Sequence, residues 1–115
     1  AFKKVAFSVV ADLVMTPTAA LADIVLPVAS YLESDGVVVS RTASGAVCLE
    51  PQLQVVRMGE CRSDIEILSG IAHRLGLGRF YGDDLHAALD MYLEPMGIGF
   101  AELVRHPGVV SSTTK

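Results

Sequence analysis

The strongest constraint on the fold is the stretch "DLVMTPTAALADIVLP", Asp12 to Pro27, together with the apolar run before it. "KKVAFSVVA" (Lys3–Ala11) is a continuous β-branched and aromatic run bounded by charge, the pattern of a strand buried on both faces. Asp12 ends that run. Thr16 stands at the N-cap position of one or two helical turns over Thr16–Ala22, and Pro17 at the first helical position, where a missing N–H costs nothing. "DIVLPV" (Asp23–Val28) is a second short buried strand, closed by Pro27 because proline cannot donate to a sheet ladder. Strand, short crossover and strand form a parallel α/β pattern. A crossover shorter than a full helix fits two strands at the edge of a larger sheet.

The rest of the chain extends this unit. Ser30–Gly36 is a turn, marked by Asp-Gly before "VVVS". Val37–Pro51 is a hairpin around Thr42–Gly45, and Gln52–Arg62 an extended connector. Ser63 caps a helix that Gly76 ends, with Ile65, Leu68, Ile71, Ala72 and Leu75 at amphipathic spacing. A second amphipathic helix over Asp83–Gly97 is stopped by Pro95 and Gly97, and a shorter third covers Gly99–Gly108. The tail from Val109 is expected to fray. The fold class is therefore α/β: a parallel-sheet αβα segment with a β-hairpin excursion and C-terminal helices, in one domain over residues 1–115.

Composition limits what such a unit does. Its 115 residues suit about one domain. The hydrophobic fraction of 51% and mean hydropathy of +0.48 point to a buried sheet or to a segment that packs against more protein. No apolar run reaches the roughly 18–20 residues that span a bilayer, and the longest, "VAFSVVADLVM", is interrupted by Asp12. The chain opens in mid-pattern without Met, and no signal-peptide cleavage site follows Lys3 and Lys4, so it reads as a segment of a longer polypeptide. A net charge of −4 with scattered Lys and Arg argues against a nucleic-acid partner. Cys48 and Cys61 have neither C-x-x-C spacing nor a His at zinc-ligand distance, and read as ordinary buried or half-buried thiols, with a disulfide or a metal site as the alternatives.

Candidate chemistry is sparse. Nothing resembles a nucleophile elbow, and His73, His86 and His106 have no metal-ligand spacing. His73 belongs on a solvent or boundary face, and His86 and Asp90 form an i, i+4 surface pair. The Gly-rich loop Gly76–Gly82 follows a helix instead of bridging strand to helix, which suits a helix cap better than a phosphate cradle. Glu33 and Asp35 flank a turn and read as solvated. Asp12 differs, because open α/β sheets place ligands at the carboxyl ends of their strands. A carboxylate there accepts two hydrogen bonds side by side, which suits a guanidinium or the N1–H/N2–H₂ edge of guanine. The competing role for Asp12 is an Asx turn or helix cap. Asp23 bonds local backbone N–H groups and fixes the turn into the second strand.

"VVADLVMTPTAALADIVLPVASYLESDG" resembles a segment of the molybdopterin oxidoreductases, the large catalytic subunits of the dimethyl sulfoxide reductase superfamily. The likeness lies in the A-D-v-v-L-P pattern at fixed spacing from Asp12, Glu33 and Gly36. "GECRSDIEILSGIAHRLGL" (Gly59–Leu77) resembles the stretch that follows, so the similarity runs from Val5 to Leu77, with residues 78–115 a helical extension. The resemblance implies an αβα domain that helps bind one of two molybdopterin guanine dinucleotides, which together chelate Mo or W. It implies that Ala11 and Asp12 match positions touching the nucleotide end, and that Asp64 matches a carboxylate used on the cofactor. Ser34 stands where some relatives carry a cofactor-contacting Lys, a charge that Ser cannot supply. For Asp64 a second role is compatible, that of a first-turn acid favoured by the helix dipole. The resemblance also implies that the metal ligand and the cysteines of any 4Fe–4S cluster lie outside this chain, and that its partners are the other domains of the subunit and an iron–sulfur electron-transfer subunit.

One departure bears on the subfamily. Many relatives follow the Glu-x-x-Gly turn with N-x-x-G-R-x-Q, where this chain has "SRTASGAV" (Ser40–Val47), unlike the periplasmic nitrate reductase type. On this reading the chain is a non-catalytic part of a redox enzyme and leaves apolar patches for its neighbours to cover. The alternative is a free-standing α/β interaction module that binds no nucleotide.

Overall fold

The computed structural model describes residues 2–111. Strands β1 (Val9–Asp12) and β2 (Ile24–Pro27) pair in parallel, with Val9 opposite Ile24 and Asp12 opposite Pro27. The first strand is much shorter than Lys3–Ala11: Phe2–Lys4 form a 3₁₀ turn, and the ladder is no longer than the four residues that β2 can pair. It is also not buried on both faces. Val9 is 49% and Ile24 45% exposed, because no other element of the described residues covers that side.

The crossover contracts to a single 3₁₀ turn over Ala19–Leu21, since the Thr16–Ala22 stretch is too short to repay helix nucleation. Its N-cap position is Thr18 and not Thr16, and Thr18 makes no side-chain cap bond, but the Thr16 hydroxyl accepts from the Ala19 N–H at 3.2 Å. Asp23 locks the entry to β2 across the pair and not locally, accepting from the Ser8 N–H and hydroxyl at 2.8 and 2.9 Å. Those two bonds hold its carboxyl below the ordinary carboxylate range.

Strands β3 (Gly36–Arg41) and β4 (Val47–Gln52) form the expected hairpin. Its Thr42–Gly45 turn is closed by the Ala46 carbonyl accepting from the Thr42 N–H. The helices are shorter than the sequence pattern suggests. Helix α1 (Asp64–Arg74) carries a full capping box between Ser63 and Glu66. Helix α2 (Leu85–Leu93) is capped by Asp84, whose carboxylate accepts from the Ala87 N–H, and gives way to a 3₁₀ turn at Glu94–Met96. Helix α3 (Phe100–Arg105) takes its cap from Asp90, which accepts from the Phe100 N–H at 2.7 Å. The tail does not fray where the structure describes it: β5 (Val109–Ser111) pairs antiparallel with β4, whose second edge is otherwise open. Residues 112–115 lie outside the described residues. Pro51 is tolerated in β4 because β5 reaches only Val47–Leu49, leaving Pro51 on an edge.

The core is off-centre. Leu49, Leu89, Leu93, Phe100 and Leu103 are buried together, with Val37, Val47, Ile65 and Leu85 packed around them. It therefore joins the hairpin to α2 and α3 and leaves the parallel pair outside. Helix α1 turns its small residues inward: Ser69 and Ala72 are buried, and the Ser69 hydroxyl donates to the Gly82 carbonyl. Leu68, Ile71 and Leu75, which share the helix's apolar spacing, face out at 52%, 50% and 69% exposure. No helix of the described residues is long and apolar enough to cross a membrane.

Candidate functional site

Carboxylates hold the connector between β4 and α1 in place. Glu33 is a hub and not a solvated turn residue. One oxygen accepts from the Ser30 N–H and hydroxyl at 2.9 and 2.7 Å. The other accepts from the Met58 N–H at 3.2 Å and the Cys61 thiol at 3.5 Å. The Ser30 N–H, then its hydroxyl, hold the Glu33 carboxyl below the ordinary range. Asp35 is likewise engaged, accepting from the Gln54 N–H and from His86 Nε2, each at 2.7 Å. His86 therefore pairs with Asp35 and not with Asp90, which is spent capping α3. Burial pushes the Asp35 carboxyl up, but the Gln54 and His86 bonds outweigh it and the net direction is down.

Arg57 ties the far end, donating to the Cys61 carbonyl and to both oxygens of Glu66 at 2.8 and 2.9 Å. For Glu66, burial again pushes up and the Arg57 and Ser63 bonds outweigh it.

All three carboxyls are shifted down, which fixes the sign of a pH effect. Their stabilisation is complete above the ordinary carboxylate range, about pH 4, and is lost as pH falls through the lowered values. Acidification from pH 6 to pH 3 is expected to release the connector first. Protection of the Gln54 and Met58 amides against hydrogen exchange, corrected for intrinsic rate, should fall before that of Leu93. Unchanged protection at pH 3 would contradict this.

The turn before β3, the start of α1, the segment around Phe80 and Tyr81, and α2 line an open groove of about 660 Å³. It is lined by Ser34, Asp35 and Val37, by Ser63 and Asp64 at the start of α1, and by the aromatic residues Tyr31, Phe80, Tyr81 and Tyr92. Two of the four candidate residues, Ser34 and Asp64, meet here. Ser34 is 5% exposed, and its hydroxyl donates to the Asp35 carbonyl. Asp64 is exposed in the first turn of α1.

Ala11 and Asp12 do not line the groove. They sit at the carboxyl end of β1, where the Asp12 carbonyl accepts from the Val28 N–H, one residue before groove-lining Ala29. The Asp12 carboxylate is used locally, accepting from the Leu13 N–H and the Thr16 hydroxyl, both at 2.8 Å. Neither bond is the Asx turn or the helix cap weighed for it from the sequence, since neither donor is the i+2 N–H or a backbone N–H of the 3₁₀ turn. No Lys, Arg or His lines the groove, so its polar character is acidic and hydroxylic. Among the described residues no group of three His, Cys, Asp or Glu is placed to hold a metal ion.

Sequence reasoning missed the Glu33 and Asp35 anchors and the aromatic wall. Their partners lie far along the chain, as with Asp35 and His86, so no local spacing reports them.

Comparison with known proteins shows the family of the chain. A family model described as molybdopterin oxidoreductase matches residues 1–74. The chain is 36% identical over 101 residues to the probable oxidoreductase YyaE of Bacillus subtilis strain 168, covering 84% of this chain and 14% of that protein. It is 35% identical over 81 residues to the assimilatory nitrate reductase catalytic subunit of the same organism, covering 70% of this chain and 11% of that protein. It is 36% identical over 83 residues to the F420-dependent formate dehydrogenase subunit alpha of Methanocaldococcus jannaschii, covering 68% of this chain and 11% of that protein. The chain thus spans a small part of the length of each relative.

Proposed function

The chain belongs to the molybdopterin oxidoreductase family, and from that premise we propose that it forms part of the catalytic subunit of a molybdenum or tungsten oxidoreductase carrying molybdopterin guanine dinucleotide. Family membership itself implies a molybdopterin-type cofactor with molybdenum or tungsten. This segment contributes a wall for the guanosine end of one dinucleotide and packs against neighbouring domains, and it is not catalytic alone. Any 4Fe–4S cluster belongs to the rest of the subunit, and an iron–sulfur subunit is its electron-transfer partner.

The observation that supports this reading is the convergence of Ser34 and Asp64 on one aromatic-walled groove. The residues fit one end of the cofactor. A purine stacks on aromatic faces, and a carboxylate accepts the paired N–H donors on guanine's edge. The diphosphate does not fit the same walls, because no cation lines them and Ser34 brings no charge. It needs Lys or Arg from another domain. Bound at its metal, the cofactor supplies two-electron chemistry; the residues of this chain hold and orient its nucleotide.

The test is cofactor retention in the complete enzyme. Asp64→Ala is expected to lower guanine nucleotide released per polypeptide by about tenfold or more at limiting cofactor, the range for losing a charged hydrogen bond. Asp12→Ala is the companion variant at the strand end. Full nucleotide content in both would overturn the reading.

A further inference from the structure

We infer that His86 is a positioning residue for the groove. Acting through Asp35, it ties α2 to the turn before β3 and fixes how those two groove-lining elements sit against each other. What the tie does for ligand retention rests on the reading of the groove as a nucleotide seat; the tie itself does not.

The bond is long-range and has no parallel. His86 Nε2 lies 2.7 Å from Asp35 Oδ2, across 51 positions of sequence. A carboxylate only accepts, so Nε2 donates. Among the described residues no other hydrogen bond joins α2 to the turn, the hairpin or the connector. Both elements that it joins line the groove, Ser34 and Asp35 from the turn and Leu89 and Tyr92 from α2. His86 itself stands outside the lining.

Both ends of the bond are anchored. The His86 ring is tilted against Phe100, with ring centroids 5.4 Å apart, and Phe100 belongs to the buried core. One turn further along α2, Asp90 accepts from the Phe100 N–H. Phe100 is thus met by α2 at two points, and its place in the core sets the imidazole. At the other end, Asp35 Oδ1 accepts from the Gln54 N–H at 2.7 Å, which holds the carboxylate between α2 and the connector. Asp35 is the more enclosed partner, its side chain 21% exposed.

An ion pair this close to solvent contributes little to overall stability. Its consequence is positional. The core places Phe100, Phe100 and α2 place the imidazole, and the imidazole places Asp35 beside buried Ser34. Without it, the turn and the connector keep their mutual bonds at Glu33 and Gln54, but no hydrogen bond among the described residues fixes them to α2. A ligand that touches both elements then binds at the added cost of ordering them.

The test uses the complete protein. His86→Ala is expected to speed exchange of the Gln54 amide about fivefold, the factor for losing one partly exposed charge-assisted bond, with Leu93 protection unchanged. Guanine nucleotide retained per polypeptide at limiting cofactor should fall by a similar factor. His86→Gln keeps an N–H donor without the ring, and should restore both readouts to within about twofold. In an Asp35→Ala background, His86→Ala should lower retention by less than about twofold further. Equal losses in both backgrounds, no rescue by His86→Gln, or a matching fall at Leu93 would overturn the inference, because His86 would then act by packing on Phe100. Unchanged Gln54 exchange in His86→Ala would overturn the tie. Faster Gln54 exchange with full retention, in an enzyme whose retention does respond to Asp64→Ala, would overturn the positioning role. Full nucleotide content in Asp64→Ala and Asp12→Ala counts against the nucleotide seat alone, since Gln54 exchange is read without the nucleotide.

Discussion

Replacing Leu93 with alanine is expected to cost about 2–5 kcal/mol of local stability, the range for emptying a fully buried leucine site. Leu93 is 0% exposed and lies in the cluster where β4, α2 and α3 meet. The cavity would open among Leu49, Leu89, Phe100 and Leu103, whose backbones are fixed by two helices and a sheet, so little collapse can fill it. The measurement is the opening free energy from hydrogen exchange of the core amides in the complete protein. Loss of the core also unseats α2, which carries one wall of the groove, so nucleotide retention should fall with it. A change below about 1 kcal/mol would mean that the true core lies elsewhere.

The second large effect is expected at Gly82. Its backbone lies at φ +72°, a conformation that side chains disfavour. An added Cβ would sit 2.7 Å from the Ala88 nitrogen and 2.9 Å from the Ala87 carbonyl carbon. Gly82→Ala therefore combines about 1–3 kcal/mol of backbone strain with a clash against the first turn of α2. The clash matters further because the Gly82 carbonyl accepts from the Ser69 hydroxyl and lies 2.8 Å from His73 Nε2. Moving it releases α1 from the loop it packs on. Gly76→Ala is the matched control, with a similar φ of +75° but open space around the added carbon. Comparing the two by hydrogen exchange of α1 amides separates strain from clash. Equal losses would show that the close approach to α2 carries no energy.

The sequence was most legible where signals are local. The Ser63 cap, the Asp-Gly entry to the hairpin and Gly76 at the end of α1 each act within a few residues, and each was found in place, while Gly97 ends the 3₁₀ turn that follows α2 and not α2 itself. Strand length was not legible from the Lys3–Ala11 run, because a ladder is only as long as its partner and β2 has four residues. The orientation of α1 was also hidden. Periodicity reports that Leu68, Ile71 and Leu75 share a face, but Ser69 and Ala72 are the ones that close on the 3₁₀ turn at Gly78–Phe80 and on Gly82. Of the site, Ser34 and Asp64 were chosen by family resemblance and do meet at the groove, while Ala11 and Asp12 stay at the strand end. The carboxylate hubs at Glu33 and Asp35 escaped because their donors come from the connector and from α2.

The off-centre core has a consequence for biosynthesis. β1 and β2 leave the ribosome before the segment that builds the core, which is complete only when Leu103 has emerged. At ordinary elongation speeds the delay is roughly 5–20 s. For that interval, as afterwards, the core of this segment does not cover Phe7, Val9, Leu13 or Val14. Cover for these side chains has to come from outside this segment, because its own core never reaches them.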